Sequence, residues 1–115
     1  MPMRYYHNRR CSKSRQALAL LHERGIEPEL VAYLDTPPDA DTLRALLGKL
    51  GISARQLLRT GEEAYKAYGL DNPALDEQAI IAAMVEAPIL IERPIFENGD
   101  KAVIGRPPER VLEIL

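Results

Sequence analysis

Residues 3–34, MRYYHNRRCSKSRQALALLHERGIEPELVAYL, decide the fold class of this chain. Residues 3–7 alternate in character and are rich in tyrosine, which is typical of a β-strand. A helix is predicted after them, because apolar residues recur at helical spacing and Gly25 is placed to end it. Those apolar residues are Ala17, Leu18 and Leu21. Residues 29–34 read as a second strand, and a helix between two strands predicts a right-handed parallel βαβ unit.

The other end of the chain predicts a β-hairpin followed by a helix. Asn98-Gly99 is a strong two-residue hairpin signal, and residues 101–104 form the predicted return strand. The incoming strand, residues 89–96, is broken near Pro94. A last helix is predicted after Pro107-Pro108, since proline suits the first helical turn. The residues expected to face inward from it are Val111, Leu112 and Leu115.

The middle of the chain, about residues 37–87, is predicted to be helical. Leucines recur at helical spacing before Gly51, Ser53 and Gln56 have capping-box spacing, and Asp76 is placed to cap a further helix. A βαβ unit and a ββα unit together are the layout of an α/β, thioredoxin-like fold with a mixed four-stranded sheet. We therefore expect a single domain over residues 1–115, with a helical insertion at about 37–87.

Composition excludes several classes of function. The chain has 115 residues, 46% of them hydrophobic and 28% charged, with a net charge of -2. That charge gives no overall attraction to nucleic acid or to a membrane surface, and no apolar run is long enough to span a bilayer. The N-terminus lacks the apolar middle region of a signal peptide, so we expect a cytoplasmic protein. The single cysteine excludes an intrachain disulfide and a zinc site of several thiolates, and we expect neither metal nor bound cofactor.

Cys11 lies where the first strand ends and the first helix is predicted to begin. A helix N-terminus favours an anion, so the pKa of a thiol there is expected to fall below its free value of about 8.5. Ser14 could donate a hydrogen bond to the sulfur, and His7 could do the same when protonated. The flanking cations are Arg9, Arg10 and Lys13. The same residues also fit an ordinary helix start with a serine cap and solvated charges.

The spacing Cys11-x-x-Ser14 restricts the chemistry of the thiol. In a C-x-x-C motif the second thiol resolves whatever the first one binds, and serine cannot do so. Any covalent adduct on Cys11 must then be released by a thiol from another molecule, such as glutathione or a partner protein. The Arg93-Pro94 bond, which breaks a predicted strand, is a candidate cis bond, with a plain edge-strand proline as the alternative.

The opening motif His7-Asn8-x-x-Cys11-Ser12-Lys13-Ser14-Arg15 closely resembles the opening of the glutaredoxin-coupled arsenate reductases. Further similar segments follow in order along nearly the whole chain: Tyr33-Leu34-Asp35-Thr36-Pro37-Pro38, Gly51-Ile52-Ser53, Leu57-Leu58-Arg59, Pro88-Ile89-Leu90-Ile91-x-Arg93-Pro94-Ile95 and Gly105-Arg106-Pro107. Each motif alone is weak, but together they are specific for this family.

The resemblance implies a reaction and a set of site residues. Cys11 is the implied nucleophile, attacking arsenate at arsenic to form a covalent adduct, and His7 and Ser14 are implied to tune its thiolate. Glutathione is the implied co-substrate and glutaredoxin the implied protein partner, in a role in arsenic detoxification. The implied oxyanion-binding residues are Arg59, Arg93 and Arg106, and the implied cis-proline is Pro94.

Two alternative functions stay open. One is a glutathione-linked reductase that acts on another oxyanion or on mixed disulfides. The other is an Spx-type regulator, which shares the fold and the Arg-Pro-Ile segment but binds RNA polymerase. Spx-type switches commonly use C-x-x-C, whereas Ser14 stands here in place of the second cysteine, and Arg106 precedes a Pro-Pro pair as in the reductases. Both features favour the enzyme.

Overall fold

The computed structural model describes residues 3–115 and divides the chain into two units. The first unit comprises Met1–Thr36 and Arg93–Leu115, and the second comprises Pro37–Glu92. The second unit covers the stretch predicted as a helical insertion. The prediction that the whole chain forms one domain stays a prediction.

A mixed four-stranded sheet forms the framework of the first unit. Its strands are β1 (Met3–Tyr6), β2 (Glu29–Val31), β3 (Ile95–Asn98) and β4 (Lys101–Ile104), in the spatial order β2-β1-β3-β4. β1 runs parallel to β2 and antiparallel to β3, and β3 runs antiparallel to β4. Helix α1 (Ser12–Glu23) connects the two parallel strands. The predicted α/β, thioredoxin-like fold class is confirmed.

The core of the first unit lies where the sheet meets α1 and the C-terminal segment. Its buried members are Tyr5, Ala17, Leu21, Phe96, Val103 and Val111. Gly105 is needed at this point, because an added Cβ would lie 3.0 Å from Pro94 Cγ and 3.0 Å from Val111 Cγ1. The end of β4 lies against the start of β3 here, since Ile104 pairs with Ile95 and the Gly105 backbone N–H donates to the Pro94 carbonyl oxygen at 2.9 Å.

The C-terminal helix differs from its prediction. Pro108–Ile114 is a 3₁₀ helix, in which side chains three residues apart share a face. Pro108 and Val111 are therefore the buried residues, whereas Leu115 is 49% exposed. The expectation that Leu115 faces inward, which assumed α-helical spacing, is wrong.

The predicted strand before Pro94 is also shorter than expected. Pro88–Leu90 forms a 3₁₀ turn, and Ile91 makes only an isolated antiparallel bridge with Leu58. The regular strand begins at Ile95, after the proline, which has no N–H to donate to a ladder. The hairpin turn consists of Gly99 and Asp100, one residue later than the predicted pair.

The second unit is built from short helices with local caps. They are α2 (Ala40–Leu50), α3 (Ala54–Leu57), α4 (Glu63–Ala67) and α5 (Glu77–Glu86). The predicted capping box is present: Ser53 accepts from the Gln56 backbone N–H, and the Gln56 side chain accepts from the Ser53 backbone N–H. Asp76 caps α5 by accepting from the Ala79 backbone N–H at 2.8 Å.

Apolar side chains of these helices form the interior of the second unit. Three leucines on α2 and both isoleucines on α5 are almost fully buried, as their helical spacing predicts, whereas Leu50 at the end of α2 is partly buried. The buried residues of these two helices include Leu43, Leu46, Leu47, Ile80, Ile81 and Met84. Among residues 3–115, no helix has the length and apolar character needed to cross a membrane.

Candidate active site

Cys11 occupies the N-cap position of α1, at the carboxyl end of β1. Its backbone N–H donates to the carbonyl oxygen of Asn8 at 3.0 Å, which closes a tight turn over the two arginines between them. The side chain is partly exposed. The turn therefore presents the thiol at the helix N-terminus, where free backbone N–H groups and the helix dipole favour a negative charge.

The surroundings of Cys11 lower the pKa of its thiol. Burial by itself raises the pKa, because a low-dielectric environment disfavours the charged form. The backbone N–H of Ser14, the guanidinium of Arg93 and the backbone N–H of Lys13 act in the opposite direction. Together they outweigh burial, so the pKa lies below its ordinary value and more of the thiol is ionised at neutral pH.

Ser14 is fully buried beside this thiol, on the first turn of α1. Its hydroxyl oxygen lies 2.7 Å from His7 Nδ1 and accepts a hydrogen bond from the Asn8 backbone N–H at 3.1 Å. Its carbonyl oxygen accepts from the hydroxyl of Tyr5, a core residue of β1. The strand and the helix are thus joined through both ends of Ser14. The group of Ser14 that acts on the Cys11 sulfur is its backbone N–H.

The surroundings of His7 favour the neutral form of its imidazole ring. Burial, and then the charge of Arg15, lower the pKa of His7. The lowered pKa disfavours the protonated form in which His7 could donate to the sulfur, because burial and a nearby arginine both destabilise a charged imidazole. The prediction that His7 tunes the thiolate stays a prediction. The neighbour that its Nδ1 contacts is the Ser14 hydroxyl.

Arg93 and Arg106 both lie in the first unit, on either side of the hairpin. The guanidinium of Arg93 interacts with the Cys11 sulfur by charge and by hydrogen bonding. Arg106 is exposed, and its Nη1 lies 3.5 Å from the Arg93 carbonyl oxygen, which is a long and weak hydrogen bond. The candidate bond Arg93–Pro94 is cis, and Arg106–Pro107 is cis as well.

Arg59 lies in the second unit, just after α3. Its backbone N–H donates to the Leu90 carbonyl oxygen at 2.8 Å, and its guanidinium pairs with Glu62 at 2.7 Å. Only 18% of the Arg59 side chain is exposed, which fits a held rather than a freely moving arginine. The prediction that it joins Arg93 and Arg106 at one oxyanion stays a prediction.

A cleft of about 250 Å³ opens between the two loops that follow β1 and β2. Residues 7–10 line one side, and Ala32, Leu34 and Asp35 line the other. Both loops leave the carboxyl ends of parallel strands, which is where open α/β sheets usually bind ligands. Within residues 3–115, no three His, Cys, Asp or Glu residues are grouped so that they could hold a metal ion.

Sequence reasoning missed two parts of this arrangement. The sequence pattern around Tyr5 predicts only a strand residue, and nothing in its spacing indicates that its hydroxyl reaches the Ser14 carbonyl. In the sequence Asp35 is part of a family-like motif, whereas in the structure it lines the cleft. The sequence does indicate this position for Asp35, because it follows the second predicted strand, and residues that follow two neighbouring parallel strands meet at the same edge of a sheet.

Comparison with known proteins gives consistent matches over nearly the whole chain. The ArsC family model matches residues 6–114. YfgD, an uncharacterized protein of Escherichia coli strain K12, is 57% identical over 114 residues, covering 98% of this chain and 96% of YfgD. An arsenate reductase of Neisseria meningitidis serogroup A is 50% identical over 114 residues, 98% of this chain and 97% of that protein. A solved arsenate reductase from Vibrio cholerae has a TM-score of 0.97 and 47% identity, covering 100% of this chain and 98% of the other.

Proposed function

The chain belongs to the ArsC family, and from this we propose that it is an arsenate reductase, an oxidoreductase with Cys11 as its nucleophile. One observation carries the assignment of the nucleophile. The thiol at the N-cap of α1 has a lowered pKa, and the guanidinium of Arg93 acts directly on its sulfur. A thiolate beside a guanidinium is suited to attack on an oxyanion, because the cation attracts the anion that the thiolate alone would repel.

The proposed first step is attack of the Cys11 thiolate on the arsenic of arsenate. A sulfur–arsenic bond forms, and one oxygen of arsenate takes up protons and leaves as water. Reduction of the pentavalent arsenic then needs two electrons, which two thiols supply by becoming a disulfide. Overall, arsenate and two thiols give arsenite, one disulfide and one water.

The two thiols must come from other molecules, because the chain has a single cysteine and Cys11 is regenerated. We propose that a glutathione thiol attacks arsenic on the Cys11 adduct and expels a second oxygen as water, which forms a second sulfur–arsenic bond. A glutaredoxin thiol then attacks the glutathione sulfur, and glutathione leaves arsenic as a mixed disulfide with glutaredoxin. That transfer leaves trivalent arsenic on Cys11, and water releases it as arsenite. The cytoplasm is the expected compartment, because glutathione keeps thiols reduced there.

Arg59, Arg93 and Arg106 are the proposed oxyanion-binding residues. A guanidinium presents parallel N–H donors that match two oxygens of a tetrahedral anion, and it stays charged at all relevant pH values. Arg93 also stabilises the attacking thiolate, so its removal should affect both the nucleophile and the substrate.

The decisive assay measures arsenate-dependent NADPH oxidation coupled through glutathione, glutaredoxin and glutathione reductase. We expect turnover with all components and none when arsenate or glutathione is omitted. In a parallel reaction, thioredoxin and thioredoxin reductase replace glutathione and glutaredoxin. Sustained arsenite formation there would refute the proposed glutathione route, and a lack of arsenate-dependent turnover in the complete mixture would refute the substrate.

A further inference from the structure

The cleft beside the Cys11 loop has no part in the steps above. One of its walls, residues 7–10, is held by local hydrogen bonds. Asn8 Oδ1 accepts from the Arg10 backbone N–H at 3.0 Å, and Arg15 Nη1 donates to the Arg9 carbonyl oxygen at 2.8 Å. Since these bonds fix the backbone, the wall is ordered before anything binds, which reduces the entropy lost on binding.

The opposite wall is fixed in a similar way. The Ala32 carbonyl oxygen accepts from the backbone N–H groups of Asp35 and Thr36, both at 2.9 Å. The two walls are also tied to each other, because the His7 backbone N–H donates to the Val31 carbonyl oxygen at 2.9 Å and continues the parallel pairing of β1 and β2. The cleft is therefore a built feature of the sheet edge.

The charged residues of the cleft have a distinctive combination of signs. Arg9 and Arg10 line one side, and Asp35 lines the other. Guanidinium groups bind carboxylates, and a carboxylate binds an ammonium. A ligand that carries a carboxylate and an ammonium close together matches both sides at once, whereas a simple anion would be repelled by Asp35.

We propose that this cleft binds the γ-glutamyl end of glutathione, with Arg9 or Arg10 on its α-carboxylate and Asp35 on its α-ammonium. The inference rests on the proposed glutathione-dependent function. The γ-glutamyl end has both charges on one carbon, but the glycine end has only a carboxylate. The cleft of about 250 Å³ is smaller than a typical site for a whole drug-sized ligand, about 300 Å³ or more, which fits the binding of one arm of the tripeptide.

The distance to Cys11 suits such a ligand. The hydrogen bond from the Cys11 N–H to the Asn8 carbonyl places the Cα atoms of these residues within about 7 Å of each other, as in a β-turn. The γ-glutamyl end of glutathione lies up to about 10 Å from its sulfur, at roughly 3.5 Å of extended chain per residue. Glutathione held in the cleft can thus bring its thiol to an arsenic adduct on Cys11.

The first test measures binding without chemistry. S-methylglutathione, which cannot react, is titrated into the full-length Cys11→Ser protein while backbone amide chemical shifts are followed by NMR. We expect the largest shifts in residues 7–10 and 32–35. Absence of binding, or shifts concentrated elsewhere, would overturn the proposal.

The second test asks which charges recognise the ligand. Asp35→Asn and the double variant Arg9→Ala/Arg10→Ala should each weaken binding about two- to five-fold, the range expected for exposed charge pairs. Arg24→Ala, which removes an exposed arginine just past the end of α1, is the matched control and should leave binding unchanged. Equal weakening by Arg24→Ala and by the arginine variant of the cleft would indicate a general charge effect, and unchanged binding in Asp35→Asn would refute its contact with the ammonium; either result contradicts the proposed site.

A ligand variant completes the design. In a glutaryl analogue of S-methylglutathione the ammonium is absent, so Asp35→Asn should weaken binding of S-methylglutathione but not of this analogue. An equal effect on both ligands would refute the assigned contact.

If the cleft binds S-methylglutathione and arsenate is not reduced, the proposed function fails and the site stands. If arsenate is reduced and the shifts lie elsewhere, the function stands and the site fails.

Discussion

The two units of the chain use polar side chains for different purposes. In the second unit, Ser53 and Asp76 accept hydrogen bonds from backbone groups three residues away and so begin helices. In the first unit, Ser14 is buried with its hydroxyl against His7, and Arg93 reaches the Cys11 sulfur from a distant part of the chain. Ser53 and Asp76 thus make local contacts that begin helices, whereas Ser14 and Arg93 position chemically active groups around Cys11.

The comparison teaches where substitutions should change chemistry and where they should change only stability. In the first unit, Ser14 and Arg93 contact groups at a candidate active site, so their loss should affect activity. Caps of the second unit satisfy backbone N–H groups that would otherwise be unpaired at a helix start, so their loss should affect folding.

Replacing the thiol should have the largest effect. Cys11→Ser is expected to lower arsenate reduction by about 10⁴-fold or more, the scale seen when a catalytic nucleophile is removed. The fold should persist, because the side chain is partly exposed and makes no capping hydrogen bond. Arsenite formation and circular dichroism measure the two properties. Turnover that survives in this variant would place the active thiol outside the chain, because no other cysteine is present.

Removing the guanidinium that acts on the sulfur should have the next largest effect. Arg93→Ala is expected to lower kcat/KM by about 10²- to 10³-fold, as for loss of one preorganised donor. Because Arg93 lowers the pKa of Cys11, its removal should raise that pKa, and the rate of alkylation should reach its plateau at higher pH. Less thiolate would then be present at neutral pH.

The matched control for this change is Arg110→Ala. Arg110 forms an exposed ion pair with Glu113, at 3.5 Å, on the C-terminal 3₁₀ helix. Such pairs contribute little, so activity and the alkylation profile should stay at the wild-type level. An unshifted profile in Arg93→Ala would mean that backbone N–H groups alone set the acidity of the thiol.

Two glycine-to-alanine substitutions, one in each unit, test how much space surrounds the added methyl group. Gly105→Ala should destabilise the protein by about 1–3 kcal/mol, because the added methyl would overpack against Pro94 and Val111. Gly48→Ala should instead stabilise it by about 0.5–1 kcal/mol, since Gly48 lies within α2 with nothing within 4 Å of the added atom. Urea unfolding of both variants gives the two free energies. Changes of the same sign would contradict this reading of the packing.

Loss of a helix cap should change stability modestly and leave activity unchanged. Ser53→Ala should lower the free energy of unfolding by about 1 kcal/mol, because the Gln56 backbone N–H loses its acceptor. Arsenate reduction should not change, measured below the temperature at which the variant begins to unfold. A drop in kcat with unchanged stability would contradict a purely structural role for this cap.

The features predicted most accurately from sequence are those encoded within a few residues. The capping box at Ser53, the cap at Asp76 and the helix end at Gly51 all follow from short spacings, and each is present. The predictions that were wrong concern the type of element that a segment forms, which short sequence spacings do not determine. Leu115 is exposed because the last helix is 3₁₀, and residues 88–90 turn instead of extending into a strand.

The candidate site divides in the same way. The position of Cys11 at a helix N-terminus is readable from local sequence, since a strand, a polar loop and an apolar periodicity follow one another. The approach of Arg93 to the Cys11 sulfur cannot be predicted from local sequence, because an arginine at an active site and an arginine on the surface have the same sequence pattern. Only the resemblance to a family named Arg93, and only the structure revealed the bond from Tyr5 to Ser14.

The hydrogen bond between the Ser14 hydroxyl and His7 Nδ1 uses one hydrogen, which belongs either to the hydroxyl or to the imidazole ring. The Ser14 hydroxyl oxygen already accepts from the Asn8 N–H, and its one hydrogen can go to one acceptor only. If the neutral imidazole carries its hydrogen on Nε2, Nδ1 takes the hydroxyl hydrogen and the sulfur must rely on backbone N–H groups and Arg93. If the hydrogen is on Nδ1, the imidazole donates to Ser14 and the hydroxyl hydrogen is released for another acceptor. The tautomer of His7 thus determines whether Ser14 is a donor to its neighbours or only to the ring.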